Sequence, residues 1–391
     1  RYVSEEFYEL ENEFYWTNQW MFVAHMDELP EVGSYKLWEM IGEPLVIVHG
    51  KDGRARAFYN TCRHRGAPVV TEEYGRGNGG LACGYHGWTY DYEGNLINMR
   101  DKRDFVDFDM SCRGLYPVRT EMWGKFIFIN FNDDAKPLKE SLGPVYDQLQ
   151  EFDFGNIRLV DRYVWDLKSN WKIAMEANME VYHVKSIHPE TVDVSLDYRS
   201  NVNTLYPGGH SRMVSPTRPE VLEAMADQPD DGLPKIESVG EIGRTCTQSY
   251  HIEPNWVSPV GAGPFPVLLF WPSSIRETKY EIWWFAADWG AGDVPEAWKS
   301  HIDWFNVVIT EDTQFGDWIQ KSVESKAFQG VPLCYQEARI YHAHEAIDRT
   351  IGINRIPEHL RVDQVIGDQW VWPQDDERRL KEYESMKAAA E

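Results

Sequence analysis

Two stretches constrain this chain more than anything else in it. NTCRHRGAPV starts at Asn60 and LACGYHGWTY at Leu81, and each sets one cysteine and one histidine beside a glycine. One residue separates Cys62 from His64, and two separate Cys83 from His86. Thiolates and imidazoles at such spacings are metal ligands. A zinc ion would gather all four donors into one tetrahedron. A [2Fe-2S] cluster would divide them, two Cys on one iron and two His on the other. The doubled pattern favours the cluster, because two facing loops that each offer one Cys and one His can clamp an elongated group. Gly66, Gly84 and Gly87 let backbone N–H groups come close to cluster sulfurs. Histidine ligation puts such a centre at roughly −150 to +300 mV, well above an all-Cys plant-type cluster, so a ferredoxin can reduce it. The remaining cysteines, Cys112, Cys246 and Cys334, fit no such cluster and are expected to be buried, inert thiols.

From about Gly33 to Asn132 the chain reads as short strands joined by tight turns, a small all-β module. The KDG turn inside EPLVIVHGKDGRARAFYNTC and Glu93-Gly94 inside WTYDYEGNLI are hairpin signals. After Asp133 the pattern mixes helices and strands. VYDQLQEFDF reads as a short helix, and SNWKIAMEANMEVYHVKSIHP as a longer one, capped by Ser169 or Asn170 and stopped by Pro189. NVNTLYPGGHSRMV, PFPVLLFWPSS and KYEIWWFAADWG read as strands. A second long helix begins near Pro295, and a charged helix is expected over DERRLKEYESMKAAAE at the end. The fold class is α+β, an all-β module followed by an antiparallel sheet with helices segregated to one side.

The longer helix carries a second constellation. Glu180 and His183 are three residues apart and share a face. His183 and His188 lie about 140° apart on an ideal helix, so the helix must widen or break between them if both reach one ion. Two imidazoles and a carboxylate with open positions form the facial triad of O2-activating non-haem iron. The carboxylate is expected in VVITEDTQFGDW, where helical geometry does not separate Glu311 from Asp312. Alone, the histidine pair is a weak signal. Beside an electron-transfer module it gains weight, since such a module needs a terminal acceptor.

Composition excludes other classes. With 39 Lys and Arg against 63 Asp and Glu, the formal charge is −24, which repels nucleic acid and anionic membranes and suits a partner with a basic docking face. No run approaches the roughly 18 apolar residues of a membrane span. Five scattered cysteines do not form a disulfide framework, so the expected compartment is the cytoplasm. The chain begins on Arg, and a short leader is expected before it.

Taken together, FYWTNQWMFVAH, ELPEVGSYK, FYNTCRHRGA, CGYHGWTYDYEGNL, SNWKIAMEANMEVYHVKSIHP and TED resemble the α subunit of the Rieske-type non-haem iron ring-hydroxylating oxygenases over nearly the whole length. The resemblance implies an N-terminal segment (1–34) packing on the catalytic domain, a Rieske domain (35–135) and a helix-grip catalytic domain (136–391). It places Cys62 and Cys83 on one cluster iron and His64 and His86 on the other. It gives His183, His188 and Asp312 to a mononuclear Fe(II), preferring Asp312 because the family carboxylate matches the second residue of ED. Glu180 takes the place of a bridging carboxylate, commonly Asp, that links this iron to a cluster histidine of the neighbouring subunit. A homotrimer follows, with electrons from NAD(P)H delivered by a ferredoxin or flavin reductase. O2 would then hydroxylate or oxidatively dealkylate an aromatic or hydrophobic small molecule. Glu180 also matches relatives acting on quaternary amines, the alternative substrate class. Where many relatives read ENF this chain has Glu176-Ala177-Asn178, so that family Asn has no assured counterpart. The expected metal content is about three iron and two acid-labile sulfide per chain. Elemental and sulfide analysis checks this, and zinc without sulfide would exclude the cluster.

Overall fold

A computed structural model of the chain describes residues 1–227 and 232–371. The charged C-terminal helix expected over 376–391 lies outside the described residues.

The first sheet is antiparallel and seven-stranded. Its order is Met21–His25, Phe126–Asn130, Pro117–Trp123, Ala55–Tyr59, Leu45–His49, Ser34–Trp38, Tyr74–Arg76. The KDG hairpin pairs Val48 with Arg56, and Gly53 takes the positive φ that the turn requires. A three-stranded sheet, Leu81–Ala82, Thr89–Tyr90 and Leu96–Asn98, stands beside it. Its Glu93-Gly94 turn is tied by Asp91, whose Oδ1 accepts from the N–H groups of Glu93 and Asn95.

The second sheet is also antiparallel and seven-stranded, in the order Arg158–Leu167, Glu277–Ala286, Phe265–Ser274, Trp256–Val260, Cys246–Ile252, Ser211–Pro216, Val202–Leu205. Its two faces have different partners, as strand alternation requires. Trp284 meets Phe305 of the long helix Glu296–Val323, ring centroids 5.2 Å apart. Trp283 and Phe285 point the other way, toward Phe22 of the first sheet, with Trp283 at 5.0 Å. One continuous aromatic core therefore joins the two sheets. The aromatic strands PFPVLLFWPSS and KYEIWWFAADWG serve this core.

The expected long helix after Asn170 is broken. Asn170 is its cap, its side chain accepting from the Lys172 N–H at 3.1 Å, but the helix runs only from Trp171 to Glu176. An irregular stretch follows, then a single turn, Val184–Ile187. The break thus falls upstream of His183, not between the two histidines. A second unforeseen element is the helix Ala338–Ile351, which packs beneath the break and against the sheet. Expectation also fails at the spare cysteines. Cys112 and Cys334 are exposed and Cys246 is half-buried, because the first two sit at short 3₁₀ turns on the surface. Among the described residues no helix is long and apolar enough to cross a membrane.

One buried ion pair ties the N-terminal segment to the broken helix. Lys172 Nζ donates to both oxygens of Glu11 at 2.7 and 2.9 Å, with both side chains almost fully shielded. Lys172→Met is expected to cost about 3–5 kcal/mol, because it strands a buried carboxylate. Adding Glu11→Leu is expected to recover most of that loss in urea unfolding.

Candidate active site

The two Cys–His loops fold alike. In the first, Cys62 N–H donates to the Ala67 carbonyl (2.8 Å) and Gly66 N–H to the Cys62 carbonyl (3.0 Å). In the second, Cys83 N–H donates to the Trp88 carbonyl and Gly87 N–H to the Cys83 carbonyl, both at 2.9 Å. Gly66 and Gly87 close these turns at φ +75° and +73°, where a side chain is disfavoured. The loops bring the four side chains together as two pairs. His64 Nδ1 and His86 Nδ1 are 3.1 Å apart, and the Cys62 and Cys83 thiols adjoin each other. No three of the four bring their donor atoms within 4.8 Å of one another. Donors around one tetrahedral zinc would lie about 3–4 Å apart. A sulfur pair set apart from a nitrogen pair fits a two-iron cluster instead. Burial, more than any other influence, raises the Cys83 thiol pKa, so its thiolate needs a nearby cation, as a bound iron would provide. Tyr90 Oη lies 3.2 Å from Cys62 Sγ and accepts from the Arg63 N–H at 2.9 Å, leaving its proton free for the sulfur. The His64 ring stacks on Trp88, centroids 4.8 Å apart.

In the second domain, His183 precedes the single turn Val184–Ile187 and His188 ends it. Asp312 reaches them from the middle of the long helix. Its Oδ1 is 2.9 Å from His188 Nε2 and 3.4 Å from His183 Nε2. His183, His188 and Asp312 are, among the described residues, the one group of three such ligands whose donor atoms lie within 4.8 Å. Geometry separates the two acidic candidates. Glu311 holds the far nitrogen of His188, Nδ1, at 2.7 Å, and is itself held by the Thr191 hydroxyl at 2.7 Å. Glu180 does the same for His183: its carboxylate takes Nδ1 and also accepts from the His183 N–H at 3.2 Å. Both imidazoles thus turn Nε2 inward, the orientation that outer carboxylates give to metal-ligating histidines. Burial lowers the His183 pKa, but Glu180 and Asp312 more than reverse this, and it ends raised. His188 behaves alike, with Asp312 and Glu311 as the opposing charges. A pocket that favours positive charge on its rings, and offers two nitrogens and a carboxylate, suits a divalent cation.

A cavity of about 410 Å³ opens beside these ligands. Ile173, Ile187, Ile319, Val323 and Ile340 give it apolar walls, Tyr2, Phe315 and Phe328 its aromatic ones. The aromatic strands Phe265–Ser274 and Glu277–Ala286 contribute nothing to it. At its margin Glu176 accepts from Tyr2 Oη (2.8 Å) and pairs with His344 Nε2 (2.9 Å).

The family models match both halves. Residues 19–109 match the Rieske [2Fe-2S] domain and residues 154–353 match the ring hydroxylating alpha subunit catalytic domain, the latter over half the chain. The chain belongs to the ring-hydroxylating oxygenase α-subunit family. It is the terminal component of a Rieske non-haem iron oxygenase, an oxidoreductase that uses O2 with a [2Fe-2S] cluster and a mononuclear iron, its electrons coming from a partner protein. The carnitine monooxygenase oxygenase subunit of Acinetobacter baumannii is 27% identical over 338 residues, 84% of this chain and 85% of that one. A quaternary ammonium Rieske monooxygenase solved with L-carnitine superposes with a TM-score of 0.72 at 23% identity, covering 90% of this chain and 93% of the other. Naphthalene 1,2-dioxygenase from Rhodococcus sp., bound to indole, also gives 0.72, at 19% identity over 88% and 91% of the two chains. These structures share the oxygenase fold.

Sequence reasoning missed Tyr90, Thr191, the cavity wall of Tyr2 and Glu176, and His344 behind Glu176. Only Tyr90, inside the GWTY stretch, had a local signal. On this geometry Asp312→Ala is expected to abolish metal binding at the histidine pair. Glu311→Gln is expected to weaken it about 10- to 100-fold. Fe(II) titration of the metal-free protein checks this, and the reverse ranking would exchange the two roles.

Proposed function

We propose that Cys62 and Cys83 hold one cluster iron, His64 and His86 the other, and that His183, His188 and Asp312 hold the mononuclear iron that acts on a small molecule in the adjoining cavity. The convergence of His183 Nε2, His188 Nε2 and Asp312 Oδ1 beside that apolar cavity carries the reading. When bound, the cluster supplies electrons and the mononuclear iron activates O2. The chain's own residues do the rest. Glu180 and Glu311 fix the tautomers of His183 and His188 by accepting at Nδ1. Ile173, Ile187 and Ile319 exclude water from the reacting face. Glu180 bridges to a cluster histidine of the neighbouring subunit in a homotrimer, so electrons cross the interface, and NAD(P)H reduces the cluster through a ferredoxin or flavin reductase.

The substrate is a hydrophobic or aromatic molecule of moderate size, which is hydroxylated or dealkylated. Among the described residues no Lys or Arg lines the cavity, so an anionic group would lack a counter-charge from them. A second reading has its own support. Glu176, Glu337 and the rings of Tyr2, Phe315 and Phe328 suit a methylated amine cation. Curated relatives also include carnitine and glycine betaine monooxygenase subunits. Those two substrates carry a carboxylate, which this lining does not match.

An anaerobically reduced single turnover with O2, on a mixed panel of aromatics and methylated amines read by mass spectrometry, separates the two. Oxygen on a ring or alkyl carbon supports the first reading; formaldehyde and a demethylated amine support the second. Glu180→Gln, like Glu311→Gln, is expected to weaken metal binding at the histidine pair about 10- to 100-fold, to leave the cluster intact, and to suppress turnover even when Fe(II) is supplied to saturation. Full activity in that variant would remove its bridging role.

A further inference from the structure

Arg339 sits wholly buried at the start of the helix Ala338–Ile351. Among the described residues it has no carboxylate partner, and Nη2 has no hydrogen-bond partner. Burial lowers its pKa to about 9. A guanidinium kept in such a place needs a reason, because an unpaired buried charge opposes folding. Among the described residues it makes two hydrogen bonds: Nε donates to Ser211 Oγ at 2.9 Å and Nη1 to the Met179 carbonyl at 3.2 Å.

The second contact lies at the helix break. In an unbroken helix the His183 N–H would donate to the Met179 carbonyl, four residues back. Here that pair is divided. The His183 N–H goes to Glu180 Oε2, and the Met179 carbonyl, itself in a fully buried residue, goes to Arg339. Each half of the lost bond has a side-chain substitute, which buried backbone groups require. The Glu180 substitute is the same carboxylate that turns His183.

We propose that Arg339 is a positioning residue for the mononuclear site: by taking the Met179 carbonyl it keeps residues 177–183 from rewinding into helix, and so holds Glu180 against His183. The proposal rests on the reading of His183 as a metal ligand. Without Arg339, the carbonyl's best available partner is the His183 N–H. Claiming it would pull that N–H off Glu180 and rotate the imidazole away from Asp312.

The test uses Co(II) in the mononuclear site, whose visible absorption reports coordination without turnover. Arg339→Met is expected to weaken Co(II) binding about 10-fold or more and to change the band, with the cluster absorption unaltered. Ser211→Ala, which removes only the other contact, is expected to match the wild type. An unchanged affinity and band in Arg339→Met would overturn the proposal. If that variant does not fold, Arg339→Lys is followed by amide exchange. Faster exchange concentrated in 177–183 supports the role, whereas equal acceleration in 211–216 and 338–351 contradicts it. His183→Ala measured alongside keeps the two claims apart: unchanged Co(II) binding there would remove the ligand assignment, whatever Arg339 does.

Discussion

The His188 imidazole is gripped at both nitrogens by consecutive residues of one helix, Glu311 at Nδ1 and Asp312 at Nε2. Neighbouring positions on a helix diverge by about 100°, so two adjacent carboxylates can straddle a ring that approaches between them. That arrangement fixes the depth and rotation of the long helix relative to the histidine-bearing turn. Trp284 stacking edge-on to Phe305 and Gly316 lying close to Ser169 hold the same helix against the sheet and the start of the broken helix. The cavity then has no freedom of placement. It lies between the long helix, the broken helix and the segment around Phe328 to Leu333.

The broken helix is the complementary constraint. A continuous helix would have given Glu180 and His183 a shared face while using the His183 N–H internally. The break releases that N–H, and the Glu180 carboxylate then binds the backbone and ring of the same residue. The helical hydrogen bonds lost at 177–183 are offset by these contacts and by the Arg339 bond to the Met179 carbonyl. The Rieske module follows the opposite strategy. Its two loops are small, self-contained turns in which each cysteine's own N–H and carbonyl are satisfied within six residues, so the donor set barely depends on distant parts of the fold.

That contrast explains what the sequence could and could not convey. The pairing of Cys62 with His64 and Cys83 with His86 was legible because the information is local: donor spacing and glycines at the turns. The strands Phe265–Ser274 and Glu277–Ala286, the hairpins and the long helix were legible for the same reason, through alternation and turn residues. The need for a break was legible from the 140° between His183 and His188, but its position upstream of His183 was not, since ANMEVYHVK reads as helix and the competing contacts come from Arg339, some 160 residues away. The distinction between Glu311 and Asp312 was not legible from spacing, because both positions have apolar neighbours; only the placement of His188 between them gives the two carboxylates different contacts. The cavity walls were not legible for a related reason. The aromatic strands face Phe22 or Phe305 and are consumed by the core, while Phe315, Phe328 and Tyr2 carry no local sign of lining a pocket.

The most direct test of two communicating iron sites is a stopped-flow reaction of O2 and substrate with protein whose cluster has been reduced beforehand, in the wild type and in Asp312→Ala. The account predicts rapid cluster reoxidation matched by product in the wild type, and a cluster that stays reduced on that timescale in the variant. Equally fast reoxidation in Asp312→Ala would mean that electrons leave the cluster without passing the histidine–aspartate site, and would contradict it.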